Sequence, residues 1–122
     1  MAAFPSPTTT VAVINLFGPL VITSTNPTTL YSVPASPTTS CLVLGRVRFV
    51  NTSGSNTTVV CYGVPAGGAA GASNIFLPPS TIDAGAYLDV DIPLLGPGMF
   101  LQATAGIGNA ITVSQMNGML VS

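Results

Sequence analysis

Eleven prolines and thirteen glycines, spread through 122 residues, interrupt this chain every few positions. Both residue types weaken helix interiors, and the runs between them are dominated by Thr, Val and Ile, which fit a pleated strand better than a helix. Lys, Glu, His and Trp are absent, so good helix formers are scarce. The chain is expected to be all-β. Its length suits one domain, with residues 1–10 as an extended arm and 11–122 as the folded body.

Apolar and polar residues alternate between the breaks, which is the pattern of half-buried strands. Strands are predicted over Thr10 to Leu16, Leu20 to Thr23 and Thr28 to Val33, each closed by Gly or Pro. Asn74 to Leu77 reads as a short strand ended by Pro78-Pro79, and Ser80 to Gly85 as a turn. The cleanest alternation is Ala86 to Ile92, with Ala86, Leu88, Val90 and Ile92 facing one way and Tyr87, Asp89 and Asp91 the other. Met99 to Thr104, Ile111 to Gln115 and Met119 to Val121 complete the count. Eight or nine short strands at regular spacing favour a single antiparallel β-sandwich or a jelly-roll-like barrel.

The stretch from Ser40 to Val64 holds two β-branched runs around a Thr52-Ser53-Gly54-Ser55-Asn56 cluster and is read as a central antiparallel hairpin. A turn near Gly54 sets Phe49 opposite Val59 and Val47 opposite Cys61. Cys41, Val43, Val47, Phe49, Val59 and Cys61 then share the core face, leaving Arg46, Arg48, Val60 and Tyr62 on the other. In that register Cys41 and Cys61 are not opposite, so they are read as free thiols packed as small apolar groups; a disulfide would need a different register. The loop Pro65 to Ser73 is a run of small residues read as a flexible connection. It lacks the Lys-Ser/Thr and following helix of a phosphate-binding loop.

Hydrophobic residues make up 48% of the chain and charged residues only 4%, against roughly 25% in an average soluble protein. With a formal net charge of -1, a free monomer has little to keep it from associating. Much of the surface is therefore expected to be covered by other proteins. No apolar run approaches the roughly 18 residues of a membrane helix. The first residues show neither the basic nor the apolar region of a signal peptide, so cytoplasmic synthesis is expected.

Four of the five charges come as two pairs with matching spacing: Arg46 and Arg48 on one strand, Asp89 and Asp91 on another. Two readings stay open, a cross-strand ladder that fixes register or a pair turned toward a partner subunit. Two arginines cannot supply the many phosphate contacts of nucleic-acid binding. The carboxylates have no His, Glu or Lys with which to divide acid and base roles, and a Ser, Thr or Cys nucleophile has no histidine base, so no enzyme, cofactor or metal site is expected. Phe4, between small residues and two prolines, marks an arm that gains order by lying on another surface or else remains a frayed tail. Asn51-Thr52-Ser53 and Asn56-Thr57-Thr58 match the glycosylation pattern but are read as turn residues.

Four stretches together resemble the succession in small β-sandwich virion proteins of tailed bacteriophages. They are Leu30-Tyr31-Ser32-Val33-Pro34-Ala35, Arg46-Val47-Arg48-Phe49-Val50-Asn51-Thr52-Ser53-Gly54-Ser55, Ile82-Asp83-Ala84-Gly85-Ala86-Tyr87-Leu88-Asp89 and Gly98-Met99-Phe100-Leu101-Gln102-Ala103. The likeness covers roughly Leu30 to Val121 and is built of short, common β motifs. It departs where Ser36-Pro37 replaces the usual glycine and where Met99 replaces an aspartate. The resemblance implies a structural role on the particle, as a decoration or cement protein that contacts the major capsid protein and copies of itself. The alternatives are a tail, neck or fibre-associated component, and a carbohydrate-binding or adhesin module for which only Tyr31, Tyr62 and Tyr87 offer aromatic surface.

Overall fold

Alternation along the chain becomes eleven strands among the described residues: β1 (Val11–Phe17), β2 (Leu20–Ile22), β3 (Thr28–Ser32), β4 (Ser40–Leu44), β5 (Arg46–Asn51), β6 (Thr57–Val64), β7 (Ile75–Ile82), β8 (Tyr87–Asp91), β9 (Phe100–Ala105), β10 (Ile111–Val113) and β11 (Met116–Val121). The computed structural model of the chain describes residues 11–34, 40–44, 46–114 and 116–121; the N-terminal arm with Phe4 lies outside them. Two four-stranded antiparallel sheets, ordered β2-β10-β5-β8 and β3-β9-β6-β7, pack face to face as a sandwich rather than a closed barrel, and a third sheet has the order β1-β11-β4.

The third sheet continues the first sandwich sheet. Phe17 faces Met116 and Leu20 faces Val113, three residues further along both strands, so the ladder between β1 and β11 keeps its register into β2 and β10. On the other side Leu44 faces Asn117, and Arg48 exchanges hydrogen bonds with Ser114, a slip of one residue between β4 and β5. Three strands thus form a long ribbon whose one half is packed in the sandwich.

Inward-facing residues of both sheets meet in one core. Val47, Phe49, Ile111 and Val113 come from one side and Val59, Cys61, Leu101 and Ala103 from the other, and Leu95 is buried with them. All are essentially inaccessible, and each large side chain contributes on the order of 1.5–3 kcal/mol by leaving water.

The expected central hairpin does not form. β5 pairs with β10 and β8, whereas β6 pairs with β7 and β9, so residues 52–56 arch from one sheet to the other. Asn51 explains the arch. This fully buried residue at the end of β5 donates its amide to Ser55 O (2.7 Å) and Ile82 O (2.9 Å), and its Oδ1 accepts from Ser53 N (3.0 Å) and Ser53 Oγ (2.7 Å). Both donors and both lone pairs are used, which ties the arch to the end of β7 in the opposite sheet. Beside it Gly85, at φ 75°, turns the chain into β8 and donates to Asn51 O. The face assignment holds for Val47, Phe49, Val59 and Cys61, which are all buried, but across the sandwich rather than along one sheet; the side chains of Cys41 and Val43 lie outside those described.

β7 also differs from expectation, running through Pro78-Pro79 to Ile82. Proline cannot donate to a ladder and is tolerated on edge strands and at bulges. β7 is an edge strand, and its register with β6 jumps from Ser80↔Val59 to Leu77↔Cys61, passing over both prolines. The small-residue loop after β6 is pinned by Asn74, which accepts from Gly71 N at 3.0 Å and donates to Ala69 O at 2.9 Å.

Candidate interaction surface

The outer face of the β2-β10-β5-β8 sheet gathers the charged residues singled out in the sequence. β5 and β8 run antiparallel with Arg46 opposite Asp91 and Arg48 opposite Asp89. Each sits on the solvent side because its neighbours Val47 and Val90 occupy the core side of the pleat. Arg46 Nε lies 3.1 Å from Asp91 Oδ1. The Arg48 pair is tighter, with Nε to Asp89 Oδ1 at 2.8 Å and Nη2 to Oδ2 at 3.1 Å.

Shelter separates the two pairs. The Arg48 and Asp89 side chains are 48% and 28% exposed, against 64% and 78% for Arg46 and Asp91. Tyr87 supplies part of the cover: its ring centre lies 3.8 Å from the Arg48 guanidinium carbon, a cation–π contact between diagonal positions of one face. The hydrogen bond from Arg48 holds the Asp89 carboxyl below its ordinary range, partial desolvation opposes this, and the charges of Arg48 and then Arg46 assist. The same bond raises the Arg48 guanidinium above its ordinary value, again against desolvation.

Next to this ladder the register aligns an uncharged row, Val21–Thr112–Val50–Tyr87, across all four strands. Val21 is 40% and Tyr87 56% exposed; Thr112 and Val50 are half-buried. The row and the ladder form one surface whose charges are neutralised within the chain. Of the five charged residues only Asp83, in the turn before β8, lacks an ion-pair partner among the described residues.

The tyrosines do not share a face: Tyr31 and Tyr62 lie half-buried on β3 and β6 of the opposite sheet from Tyr87. Cys61 is a buried free thiol, pushed up to about 12 by desolvation. No three His, Cys, Asp or Glu residues gather among the described residues. No helix there is long and apolar enough to cross a membrane.

The Arg and Asp positions were readable from their spacing, but not the Tyr87 stack, the Val21 row or the role of Asn51. Tyr87 does carry a signal, since it alternates in phase with Asp89 and Asp91. The row needs the order of strands, which no local pattern encodes. Comparisons with protein-family models, with curated proteins and with solved structures give no match to this chain.

Proposed function

We propose that this chain is a non-enzymatic structural protein of a virus particle, binding the assembled capsid shell as a decoration or cement protein. The observation that carries the reading is the outer sheet face, where an uncharged row lies beside charges already satisfied inside the chain. Such a face has little long-range attraction for nucleic acid or a charged ligand. It is suited to the apolar contacts of a permanent protein assembly. With no His, Lys or Glu in the sequence, Asp89 and Asp91 are held by arginines and have no second group with which to divide acid and base roles, and the likeness of the four sequence stretches to small phage virion proteins supplies the kind of assembly.

Co-sedimentation tests this reading. Purified protein mixed with assembled shells of a tailed phage that carries this chain is expected to pellet with them and not with unassembled coat subunits, at hundreds of copies per particle. Loading of a dozen copies or fewer moves the protein to the tail or neck, and absence from the particle removes the reading.

A further inference from the structure

The sandwich guards its own sheet edges, and the ribbon that extends from it does not. An edge strand presents unpaired N–H and C=O groups that invite another strand, and proteins blunt such edges with proline, charge, bulges or short length. All four sandwich edges carry one of these devices. β7 has Pro78 and Pro79 in its middle, and β8 carries Asp89 and Asp91 and stops at Pro93. β3 is broken by a register shift between Thr29 and Tyr31, with Pro27 and Pro34 on its flanks. β2 has only three residues and follows Pro19.

β1 has none of these over its regular stretch. From Val11 to Asn15 it pairs residue for residue with β11, and its irregularity comes only after Asn15. Val11-Ala12-Val13-Ile14-Asn15-Leu16-Phe17 holds no proline, glycine or charge. Among the described residues β1 is laddered on one side only.

The register adds a second argument. Alternate cross-strand rows share a face: Val13–Met119–Leu42 lies in one set, and Ala12–Leu120–Cys41 with Ile14–Gly118–Val43 in the other. These central rows are apolar in sequence, the flanking rows bring in Ser40, Asn15 and Asn117, and β1, β4 and β11 contain no charged residue. The matching partner is therefore itself uncharged and offers a free strand. This chain, whose arginines are all paired internally, meets both conditions.

We propose that the free edge of β1 pairs with β1 of a second copy of this chain, about a two-fold axis. An antiparallel pair formed this way extends the ribbon to a six-stranded sheet, β4-β11-β1-β1-β11-β4, with no change in the direction of pairing. Isologous contacts of this kind are the commonest route to a dimer. The inference deepens the assembly reading above, but its test needs no particle.

Light scattering on the purified chain is expected to give twice the 12.2 kDa mass at tens of micromolar. Ile14→Lys places like charges near each other across the two-fold and is expected to weaken the dimer by about tenfold or more. Amide exchange on the wild-type chain guards against a variant that simply misfolds. Alternate amides within Val11 to Asn15 gain protection as concentration rises, while those of β7 do not. A monomer at ~100 μM, a trimer, a dimer indifferent to Ile14→Lys, or β1 protection independent of concentration, as its own N-terminal arm would give, overturns the proposal. A dimer that fails to bind shells supports it and removes the capsid reading, whereas a monomer that binds shells does the reverse.

Discussion

Arg48 on β5 meets Asp89 on β8 through two nearly parallel hydrogen bonds, at 2.8 and 3.1 Å, while Arg46 and Asp91 share one at 3.1 Å. A bidentate pair fixes the relative height of two strands more tightly than a single bond does. The Arg48–Asp89 pair therefore holds the β5–β8 register more firmly than the Arg46–Asp91 pair does.

The two pairs are expected to differ in thermal unfolding. Arg48→Ala or Asp89→Ala lowers Tm by about 1–3 °C, and a double-mutant cycle shows coupling that fades in high salt. Arg48→Lys does not restore it, because an ammonium cannot span both carboxylate oxygens or stack flat on Tyr87. The same changes at Arg46 and Asp91 leave Tm nearly unmoved.

Acid acts on the same pair with a definite sign. Asp89 is held below its ordinary value of 3.8, so its contribution is present above that pH and is lost as pH falls through the lower folded value. Wild type is expected to lose Tm faster than Asp89→Asn on descending from pH 4. Arg48 is shifted upward by the same carboxylate, so its own titration lies far above this range and the acid limb follows the protonation of Asp89 alone.

Asn51 is the polar residue on which the arch between sheets depends. Asn51→Ala takes a donor from Ser55 O, which keeps Ser53 Oγ, and from the buried Ile82 O, at a cost of about 3 kcal/mol or more in denaturant unfolding. Asn51→Asp is expected to be as damaging, since it turns a carboxylate oxygen toward those carbonyls. Neither effect is expected at Asn56, an exposed residue that accepts one bond from Ala84 N.

How far the sequence reaches is clearest at β5 and β6. Period-two alternation identified which of Val47, Phe49, Val59 and Cys61 point inward, because burial of one face is a local property of a strand. It could not identify the partner strand. A five-residue loop of Thr, Ser, Gly and Asn serves a hairpin or an arch equally well, and the choice falls to Asn51, whose partner Ile82 lies 31 positions away. Pro78 and Pro79 misled for a related reason: whether proline ends a strand depends on whether that strand lies at an edge. The Arg/Asp spacing was legible because cross-strand neighbours on one face repeat at two residues in both strands.

Cys61 is fully buried, and desolvation pushes its thiol up to about 12 from 9.0. At pH 8 the native protein is expected to leave Cys61 unalkylated by iodoacetamide over hours, with labelling on addition of denaturant. Because the proton is held more tightly in the folded state, this group's contribution is complete below pH 9 and is lost between about 9 and 12. Cys61→Ser removes that alkaline limb but places a hydroxyl in the core.

The interaction surface makes a demand that stability does not. Val21 and Tyr87 are exposed at opposite ends of one cross-sheet row, so replacing them removes little core packing. Burying an exposed tyrosine against a partner commonly supplies much of an interface's energy, and a lysine set into an apolar contact opposes it. Val21→Lys with Tyr87→Ala is expected to keep Tm within a few degrees while shell binding falls by about tenfold or more. Thr58→Ala, on a half-buried residue of β6 in the opposite sheet, serves as control and leaves binding unchanged. Equal loss from both variants, or none from either, shows that the shell is contacted elsewhere than the Val21–Tyr87 row.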